Sequence, residues 1–356
     1  MQCFESGKIR NIEKGIAVKK NMLKELPNPK KKDIIPPDMD YLYFENSGDF
    51  SLEPENTEYS PVNAWWFAEC AFLAYTHPGF ARMAYKLTGF DNFKFFHGVG
   101  TECMVVWTGQ LVLVAFRGTE LKSRSVLHEI NTDLNTKPVP FELGGRVHKG
   151  FLKGLEEIWG GPGGLQIFLK DLLEEKPERP LWITGHSLGG ALAALCFARI
   201  PEAKGLYLYG APRVGDKDFL ALFEGRSVWR IENAGDPVPL VPPDIPKLKF
   251  NFEDLGCLKY INREGEVRDR RPIFILKDEK KKYLDAKNMI DSKIKGFNTP
   301  LVPEKKTIGR ISKQLEINKM EWKKHFDSLY KDFGLNADDH QPIFYVTKLW
   351  NALVGE

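Results

Sequence analysis

Apolar residues along the chain fall into short runs whose lengths and spacing predict an alternation of strands and helices. The run W-W-F-A-E-C-A-F-L-A-Y at residues 65–75 has the length and apolar content of a buried helix. Two β-rich runs at residues 104–108 and 111–116 are separated by a Gly-Gln pair, which predicts a hairpin. Residues 150–159 and 165–173 have helical patterns on either side of a glycine-rich turn.

Further strand candidates follow in the second half of the chain, with helical segments between the first three. These candidates lie at residues 181–184, 205–209, 227–231 and 258–262. Strands that alternate with helices are typical of parallel pairing with crossover helices. The sequence therefore predicts an α/β fold with a mostly parallel central sheet flanked by helices.

The segments before and after the predicted strands and helices differ from them in composition. Residues 1–38 are rich in lysine and close with a Pro-Pro breaker, so we expect a peripheral N-terminal arm. Residues 39–356 are expected to form one domain. Within that domain, charged residues with scattered apolar positions dominate from about residue 263 to residue 336, which predicts a charged helical insertion near the C-terminus.

Charge and composition narrow the classes of function. The 356-residue chain has 51 Lys and Arg residues against 48 Asp and Glu residues, so no strong field indicates a nucleic-acid partner. Residues 181–198 could just span a bilayer, but their glycines and polar residues favour a buried strand, turn and helix, and we expect no transmembrane segment. The five scattered cysteines and the lack of a visible signal-peptide core lead us to expect a reducing, cytoplasmic location.

The strongest chemical signal is G-H-S-L-G at residues 185–189. It fits the pattern G-x-S-x-G, follows a β-rich run and precedes an apolar helical segment. A serine on such a sharp strand-to-helix turn needs small neighbours because its backbone angles are strained. The helix N-terminus behind Ser187 would offer free N–H groups to a developing oxyanion. An accidental glycine-rich turn is the alternative, and the flanking strand and helix count against it.

A nucleophilic serine needs a base and an orienting carboxylate, and in the α/β-hydrolase order both follow the serine. Only His325 and His340 follow Ser187 in the chain. Asp236 comes directly after the strand candidate at residues 227–231, where open α/β sheets place their sites. Local chemistry leaves alternatives open, since Asp236 also fits an ordinary Asp-Pro turn and neither histidine is excluded.

These motifs together resemble the class 3 lipases, the fungal-type triacylglycerol lipase family of α/β-hydrolases. The resemblance covers about residues 65–262, with a last match near the C-terminus. The matching motifs occur in the family's order and are F-R-G-T at 116–119, V-H-K-G-F at 147–151, G-H-S-L-G-G at 185–190, Y-G-A-P-R-V-G-D at 209–216, D-P-V-P with P-P at 236–243, and D-H-Q-P-I-F-Y at 339–345.

The resemblance implies a role for each residue of a catalytic triad. Ser187 matches the nucleophile, Asp236 the triad acid and His340 the base. The long separation between Asp236 and His340 departs from the family's pattern. If the insertion were itself the swapped C-terminal element, His325 would be the base instead.

The resemblance also implies an oxyanion hole and a lid. Thr119 resembles the family's oxyanion residue, and Leu188 would supply the second backbone N–H. In the family a lid follows the oxyanion residue, which here corresponds to residues 120–130. Apolar residues three apart in this segment fit a short amphipathic helix, and an ordinary charged loop is the alternative.

The expected function is that of a serine carboxylic ester hydrolase acting on lipid esters, an acylglycerol lipase or esterase that forms an acyl-enzyme. Its expected partner is a lipid or ester substrate, at a lipid–water interface if the lid is present. The sequence has no Walker loop, dinucleotide fingerprint or metal-ligand cluster, so we expect neither a cofactor nor a metal. The alternatives are a catalytically silent fold used as a binding or scaffold module, and a phospholipase A-type activity within the same family.

Overall fold

The structure, a computed structural model, describes residues 22–28, 41–119, 138–242, 252–272 and 335–355. Within these ranges the helices are α1 Pro61–Leu73, α2 Pro78–Leu87, α3 Lys149–Trp159, α4 Leu165–Glu175, α5 Leu188–Arg199, α6 Lys217–Leu220 and α7 Pro342–Gly355. The strands are β1 Asn92–His97, β2 Glu102–Trp107, β3 Val112–Phe116, β4 Pro138–Pro140, β5 Arg146–His148, β6 Leu181–His186, β7 Gly205–Tyr209, β8 Ser227–Asn233, β9 Cys257–Ile261 and β10 Val267–Arg268.

One large sheet organises the molecule, with the strand order β1-β2-β3-β6-β7-β8-β9-β10. The central strands β3, β6, β7, β8 and β9 pair in parallel, whereas β1, β2 and β10 join the edges antiparallel. Strands β4 and β5 form a separate antiparallel pair. The predicted hairpin is confirmed as β2–β3, and the predicted α/β class with a mostly parallel central sheet is confirmed as well.

Helices cover both faces of the sheet, which explains why β3, β6 and β7 are mostly apolar. Every residue of these three strands is buried, as expected for parallel strands packed on both sides. On one face α3, α4 and α5 enclose one apolar core. On the other face α1, α2 and α7 enclose a second core.

Helix α1 illustrates how local sequence sets an element that supports the site. Ser60 caps its N-terminus by accepting a hydrogen bond from the Asn63 amide at 3.2 Å, and Pro61 occupies the first turn. The helix is mostly apolar, apart from Asn63 and Glu69, and almost entirely buried, since it lies between the sheet and α7. Trp65 packs against Trp350 of α7 with ring centroids 4.9 Å apart.

The described residues 22–28 fall inside the predicted arm, and Met22 and Lys24 contact α7. The Trp350 indole donates a hydrogen bond to the Met22 carbonyl at 2.6 Å. The Asn351 side chain pairs with both backbone groups of Lys24, each at 2.8 Å. The C-terminal helix α7 is therefore held by contacts with N-terminal residues as well as by its packing near the sheet.

Strand β10 corrects the expected start of the charged insertion. The insertion was predicted to be helical from about residue 263, but Val267 and Arg268 pair with β9 as the edge of the sheet. Gly265, with a φ of 90°, allows the tight reversal between the two strands. The remainder of the insertion, including His325, and the predicted lid at residues 120–130 lie outside the described residues. None of the described helices is both long and apolar enough to cross a membrane.

Candidate active site

Ser187 lies on the turn between β6 and α5, at the carboxyl edge of the sheet. Its backbone has a φ of 57° and a ψ of −132°, a strained conformation for a residue with a side chain. Its amide donates to the Tyr209 carbonyl at 2.9 Å, which ties the turn to the neighbouring strand. A Cβ on Gly185 would lie 2.3 Å from the Gly189 carbonyl oxygen, so the glycines of the motif are required by the tightness of this turn.

His340 lies within hydrogen-bonding distance of both Ser187 and Asp236. The distance from His340 Nε2 to Ser187 Oγ is 2.8 Å, and that from His340 Nδ1 to Asp236 Oδ2 is also 2.8 Å. A carboxylate can only accept, so Nδ1 carries the proton and Nε2 is left to accept the serine proton. All three side chains are buried.

Asp236 is held by donors on both of its oxygens. Oδ1 accepts from the Val238 amide at 2.8 Å, and Oδ2 accepts from the Tyr345 hydroxyl at 2.6 Å as well as from His340. Burial, and next the charge of Asp236, raise the pKa of Tyr345 well above its usual value, so this hydroxyl stays protonated and donates. The carboxylate is therefore fixed in direction before any substrate binds.

Gly210 leaves room for this cluster. Its φ is 54°, and a Cβ there would lie 2.7 Å from Asp236 Oδ2, 2.9 Å from the Tyr345 hydroxyl and 3.1 Å from His340 Nδ1. No side chain fits at this position without displacing the acid, the base or the tyrosine.

His186 lies behind His340, away from the Ser187 hydroxyl. Its Nε2 is 2.7 Å from the His340 carbonyl oxygen, and its Nδ1 is 2.8 Å from the Tyr75 hydroxyl. Burial, and next the proximity of His340, lower the pKa of His186 well below its usual value, so the ring is neutral. Because a carbonyl only accepts, Nε2 donates to it and Nδ1 accepts from Tyr75. His186 thus fixes the backbone of His340.

The chain segment that ends in His340 is bonded to the loop that carries Asp236. The Gly235 amide donates to Asp339 Oδ2 at 3.0 Å, and the Asn233 side-chain amide donates to the Asp339 carbonyl at 2.8 Å. The Asn336 amide donates to the Gly235 carbonyl at 2.9 Å. These contacts account for the close approach of Asp236 and His340 across 104 residues of sequence.

The two predicted oxyanion residues lie on the chain segments that flank Ser187. Leu188 is the first residue of α5, where backbone N–H groups have no partner within the helix. Thr119 follows Gly118, and a Cβ on Gly118 would lie 3.1 Å from the Ser187 Cβ and 2.1 Å from the Tyr75 hydroxyl. The end of β3 therefore passes directly beside Ser187, and Gly118 permits that approach.

His148, which belongs to one of the sequence motifs, supports the start of a helix. It caps α3 by accepting from the Phe151 amide at 3.3 Å, and its ring stacks on Phe151. In the part of the chain that the structure describes, no group of three or more His, Cys, Asp or Glu residues could hold a metal ion.

Comparison with known proteins relates part of this chain to a family. Residues 113–245 match the model of the class 3 lipase family. Over this region the chain is similar to the class 3 lipases. The match contains Thr119, Ser187, Leu188 and Asp236, and it ends well before His340. The position of the histidine next to Ser187 and Asp236 therefore comes from the structure alone.

The region that matches the class 3 lipase model is similar to individual proteins that are named as lipases. Secreted mono- and diacylglycerol lipase 1 of Fusarium solani is 34% identical over 152 residues, which cover 41% of this chain and 44% of that protein. A lipase of Rhizomucor miehei is 35% identical over 144 residues, covering 37% of this chain and 38% of that protein. The aligned region thus spans less than half the length of either relative. A solved structure of the Rhizomucor miehei triacylglyceride lipase has 26% identity and a TM-score of 0.43, covering 57% of this chain and 80% of that chain.

The sequence did not predict the residues that hold the triad in place through hydrogen bonds. In the sequence, Tyr345 was noted only within the motif at residues 339–345, Tyr75 only at the end of the apolar run 65–75, and His186 only within the G-H-S-L-G motif. The hydroxyl at the end of the apolar run 65–75 was the available signal, since a buried tyrosine normally finds a hydrogen-bond partner. Nothing in the spacing of these residues indicates which partner that is.

Proposed function

We propose that this protein is a serine carboxylic ester hydrolase that acts on lipid esters, with Ser187 as nucleophile, His340 as base and Asp236 as orienting acid. The observation that carries the proposal is the continuous chain of hydrogen bonds through the three side chains, with both links to His340 at 2.8 Å. This is the arrangement by which a weakly nucleophilic hydroxyl is activated near neutral pH.

In the first half of the reaction, His340 Nε2 takes the proton of Ser187 as Oγ attacks the ester carbonyl carbon. The carbonyl π electrons move to oxygen, and the backbone N–H groups of Thr119 and Leu188 stabilise the resulting oxyanion. Loss of one such donor typically costs about 3 kcal/mol of transition-state stabilisation. Asp236 accepts from Nδ1 throughout and stabilises the imidazolium. Collapse of the intermediate releases the alcohol, which takes the proton from Nε2, and leaves an acyl-enzyme on Ser187.

In the second half of the reaction, a water molecule replaces the alcohol. His340 takes a proton from that water as its oxygen attacks the acyl carbonyl carbon, and the same donors hold the oxyanion. Collapse breaks the bond to Ser187 Oγ, which recovers its proton from His340. The fatty acid leaves, and the hydrogen-bonded resting state returns without a cofactor or a metal taking part in any step.

Acylglycerols are the proposed substrate class. Support comes from the class 3 lipase match at residues 113–245 and from relatives named as lipases, one of them a mono- and diacylglycerol lipase. A phospholipid substrate would give the same reaction at a different ester. We also propose that residues 120–130 act as a lid, which would make turnover depend on a lipid–water interface.

A catalytically silent scaffold is the competing function from another class. Such a protein would be expected to lack a member of the triad or to hold it out of reach. Here all three members are present, and His340 lies 2.8 Å from both Ser187 Oγ and Asp236 Oδ2. This arrangement favours the enzyme.

The test is the rate of hydrolysis of one short-chain ester, measured against concentration across its solubility limit. Triacylglycerol, monoacylglycerol and phospholipid emulsions follow, with Ser187→Ala as the blank in each case. We expect hydrolysis by the wild type and none by Ser187→Ala, with a jump in rate where the emulsion forms. A blank as active as the wild type would overturn the proposal, and saturation without a jump would overturn the lid.

A further inference from the structure

Helix α2 has an apolar side that faces outward. Phe80, Met83 and Leu87 are 38%, 69% and 90% exposed, respectively. Their spacing of three and four residues places them along one side of the helix, and we call these three residues the α2 stripe. Ala81 and Tyr85, on the other side, are buried in the core. A single exposed apolar residue is ordinary in a protein, but three on one helix side form a contiguous patch that indicates an interaction surface.

The α2 stripe extends beyond its own helix. The ring of Tyr43 lies 5.7 Å from that of Phe80, and the residue before it, Leu42, is 64% exposed.

The charges on helix α2 itself are all positive. Arg82 and Lys86 are exposed and each directly precedes a residue of the stripe. Helix α2 has the sequence P-G-F-A-R-M-A-Y-K-L and contains no acidic residue. Neither basic side chain forms an ion pair with another described residue. Exposed apolar residues bordered by lysine and arginine are typical of helices that lie in the interface of an anionic membrane.

Helix α2 begins close to the edge of the sheet that carries Ser187. The helix begins at Pro78, three residues after Tyr75, and the Tyr75 hydroxyl is 2.8 Å from Nδ1 of His186, the neighbour of Ser187. The N-terminal end of α2 therefore lies at the same edge of the sheet as the candidate nucleophile. A lipid surface that contacted the stripe would lie next to that edge.

We propose that the α2 stripe, with Arg82 and Lys86, docks the protein on an anionic lipid surface. The apolar side chains enter the boundary between headgroups and acyl chains, and the two cations face the lipid phosphates. The role of this docking rests on the proposed function, since docking would bring the edge of the sheet that carries Ser187 to a lipid ester substrate. The docking itself can be measured without any ester hydrolysis.

The experiment is cosedimentation of the full chain with vesicles of neutral phosphatidylcholine or of phosphatidylcholine with phosphatidylglycerol. All proteins carry Ser187→Ala, so that no turnover alters the vesicles. One variant adds Met83→Glu and Leu87→Glu, and a second adds Arg82→Glu and Lys86→Glu. The matched controls are Ile167→Glu and Lys153→Glu, exposed positions on α4 and α3 at the opposite face of the sheet.

We expect the parent to bind anionic vesicles more tightly than neutral ones, and each α2 double variant to lose at least about tenfold in partitioning. The two controls should bind like the parent, and thermal melting should show all five proteins folded. Equal binding by the α2 variants and the parent, or equal loss in the controls, would overturn the proposal. So would a parent that binds neither vesicle but forms a dimer that Met83→Glu with Leu87→Glu abolishes, because the stripe would then belong to a second copy.

Failure of this inference is distinguishable from failure of the proposed function. The same α2 substitutions, made with Ser187 intact, should leave hydrolysis of a dissolved short-chain ester unchanged. A protein that binds anionic vesicles through α2 but hydrolyses no ester would keep the docking surface and lose the enzyme. A protein that hydrolyses the dissolved ester but binds neither kind of vesicle would support the proposed function and overturn the docking surface.

Discussion

The Tyr345 hydroxyl donates a 2.6 Å hydrogen bond to the same oxygen of Asp236 that accepts from His340 at 2.8 Å. Tyr345 lies on α7, the helix that begins directly after the His340 segment, while Asp236 follows β8. The Asn233 amide in turn donates to the tyrosine hydroxyl at 3.1 Å. One helix therefore delivers the base and fixes the acid, so the alignment of the two depends on how α7 packs.

Replacing Tyr345 by Phe should weaken this alignment without disturbing the core. A hydrogen bond to a charged group contributes about 1.5–3 kcal/mol, so we expect a fall in kcat of roughly tenfold or more and a comparable loss of stability. Tyr207→Phe is the matched control, since among the described residues its buried hydroxyl accepts from the Ser60 amide and not from the triad, and it should change stability but not kcat. Kinetics with a short-chain ester and denaturant unfolding of both variants test this, and an unchanged kcat in Tyr345→Phe would contradict it.

Gly210→Ala should damage the site directly. The added methyl would lie 2.7 Å from Asp236 Oδ2, and the φ of 54° is unfavourable for alanine. We expect a loss of more than about 2 kcal/mol of stability together with a large fall in kcat.

The control for Gly210→Ala is Gly89→Ala. Gly89 also has a positive φ, of 92°, but nothing lies within 4 Å of its Cβ position. Its substitution should cost about 1 kcal/mol from backbone strain and leave kcat unchanged. Equal kinetic effects of the two substitutions would show that the strain, and not the contact with the acid and base, matters.

The unfolding free energy should depend on pH through Glu69, which is buried on α1. Burial raises its pKa from 4.5 to about 7, and the nearby Lys24 opposes that rise. Between these two pH values the folded state keeps a proton that the unfolded state has lost, so stability falls as the pH rises from about 4.5 to 7. A shift of this size corresponds to a total loss of about 3 kcal/mol.

Glu69→Gln removes this titration and should flatten the pH dependence over the same range. The Tyr41 hydroxyl, which donates to Glu69 Oε1 at 2.7 Å, can donate to the glutamine carbonyl instead. Denaturant unfolding of the two proteins at pH 5 and at pH 8 measures the difference. If the wild type and Glu69→Gln lose or gain stability in parallel between these conditions, the buried carboxyl is not responsible.

Local sequence signals predicted the part of the site that depends on local structure. Ser187 was predictable because a strained turn between a strand and a helix needs glycines at fixed offsets. Asp236 was predictable because the carboxyl ends of parallel strands lie at one edge of a sheet. Among the two downstream histidines, His340 was favoured by the motif around it, and local chemistry alone did not separate it from His325.

The remaining features depend on contacts between distant segments, which spacing does not encode. The links from Tyr345 to Asp236 and from Tyr75 to His186 join residues 109 and 111 positions apart. Strand β1 was not predicted, since its sequence N-F-K-F-F-H mixes polar residues into a short edge strand. Strand β10 was missed because two residues pair there within a charged stretch. The domain boundaries, the lid and the cytoplasmic location stay predictions.

The measurement that tests the central claim most directly is covalent labelling by a fluorophosphonate, with the labelled residue located by mass spectrometry. Wild type, Ser187→Ala, His340→Ala and the matched control His325→Ala are treated in parallel. If Ser187 is the nucleophile and His340 its base, the wild type and His325→Ala label at Ser187 at similar rates. Ser187→Ala should not label, and His340→Ala should label slower by a factor of at least about a thousand. Labelling at another residue, or undiminished labelling of His340→Ala, would contradict the account.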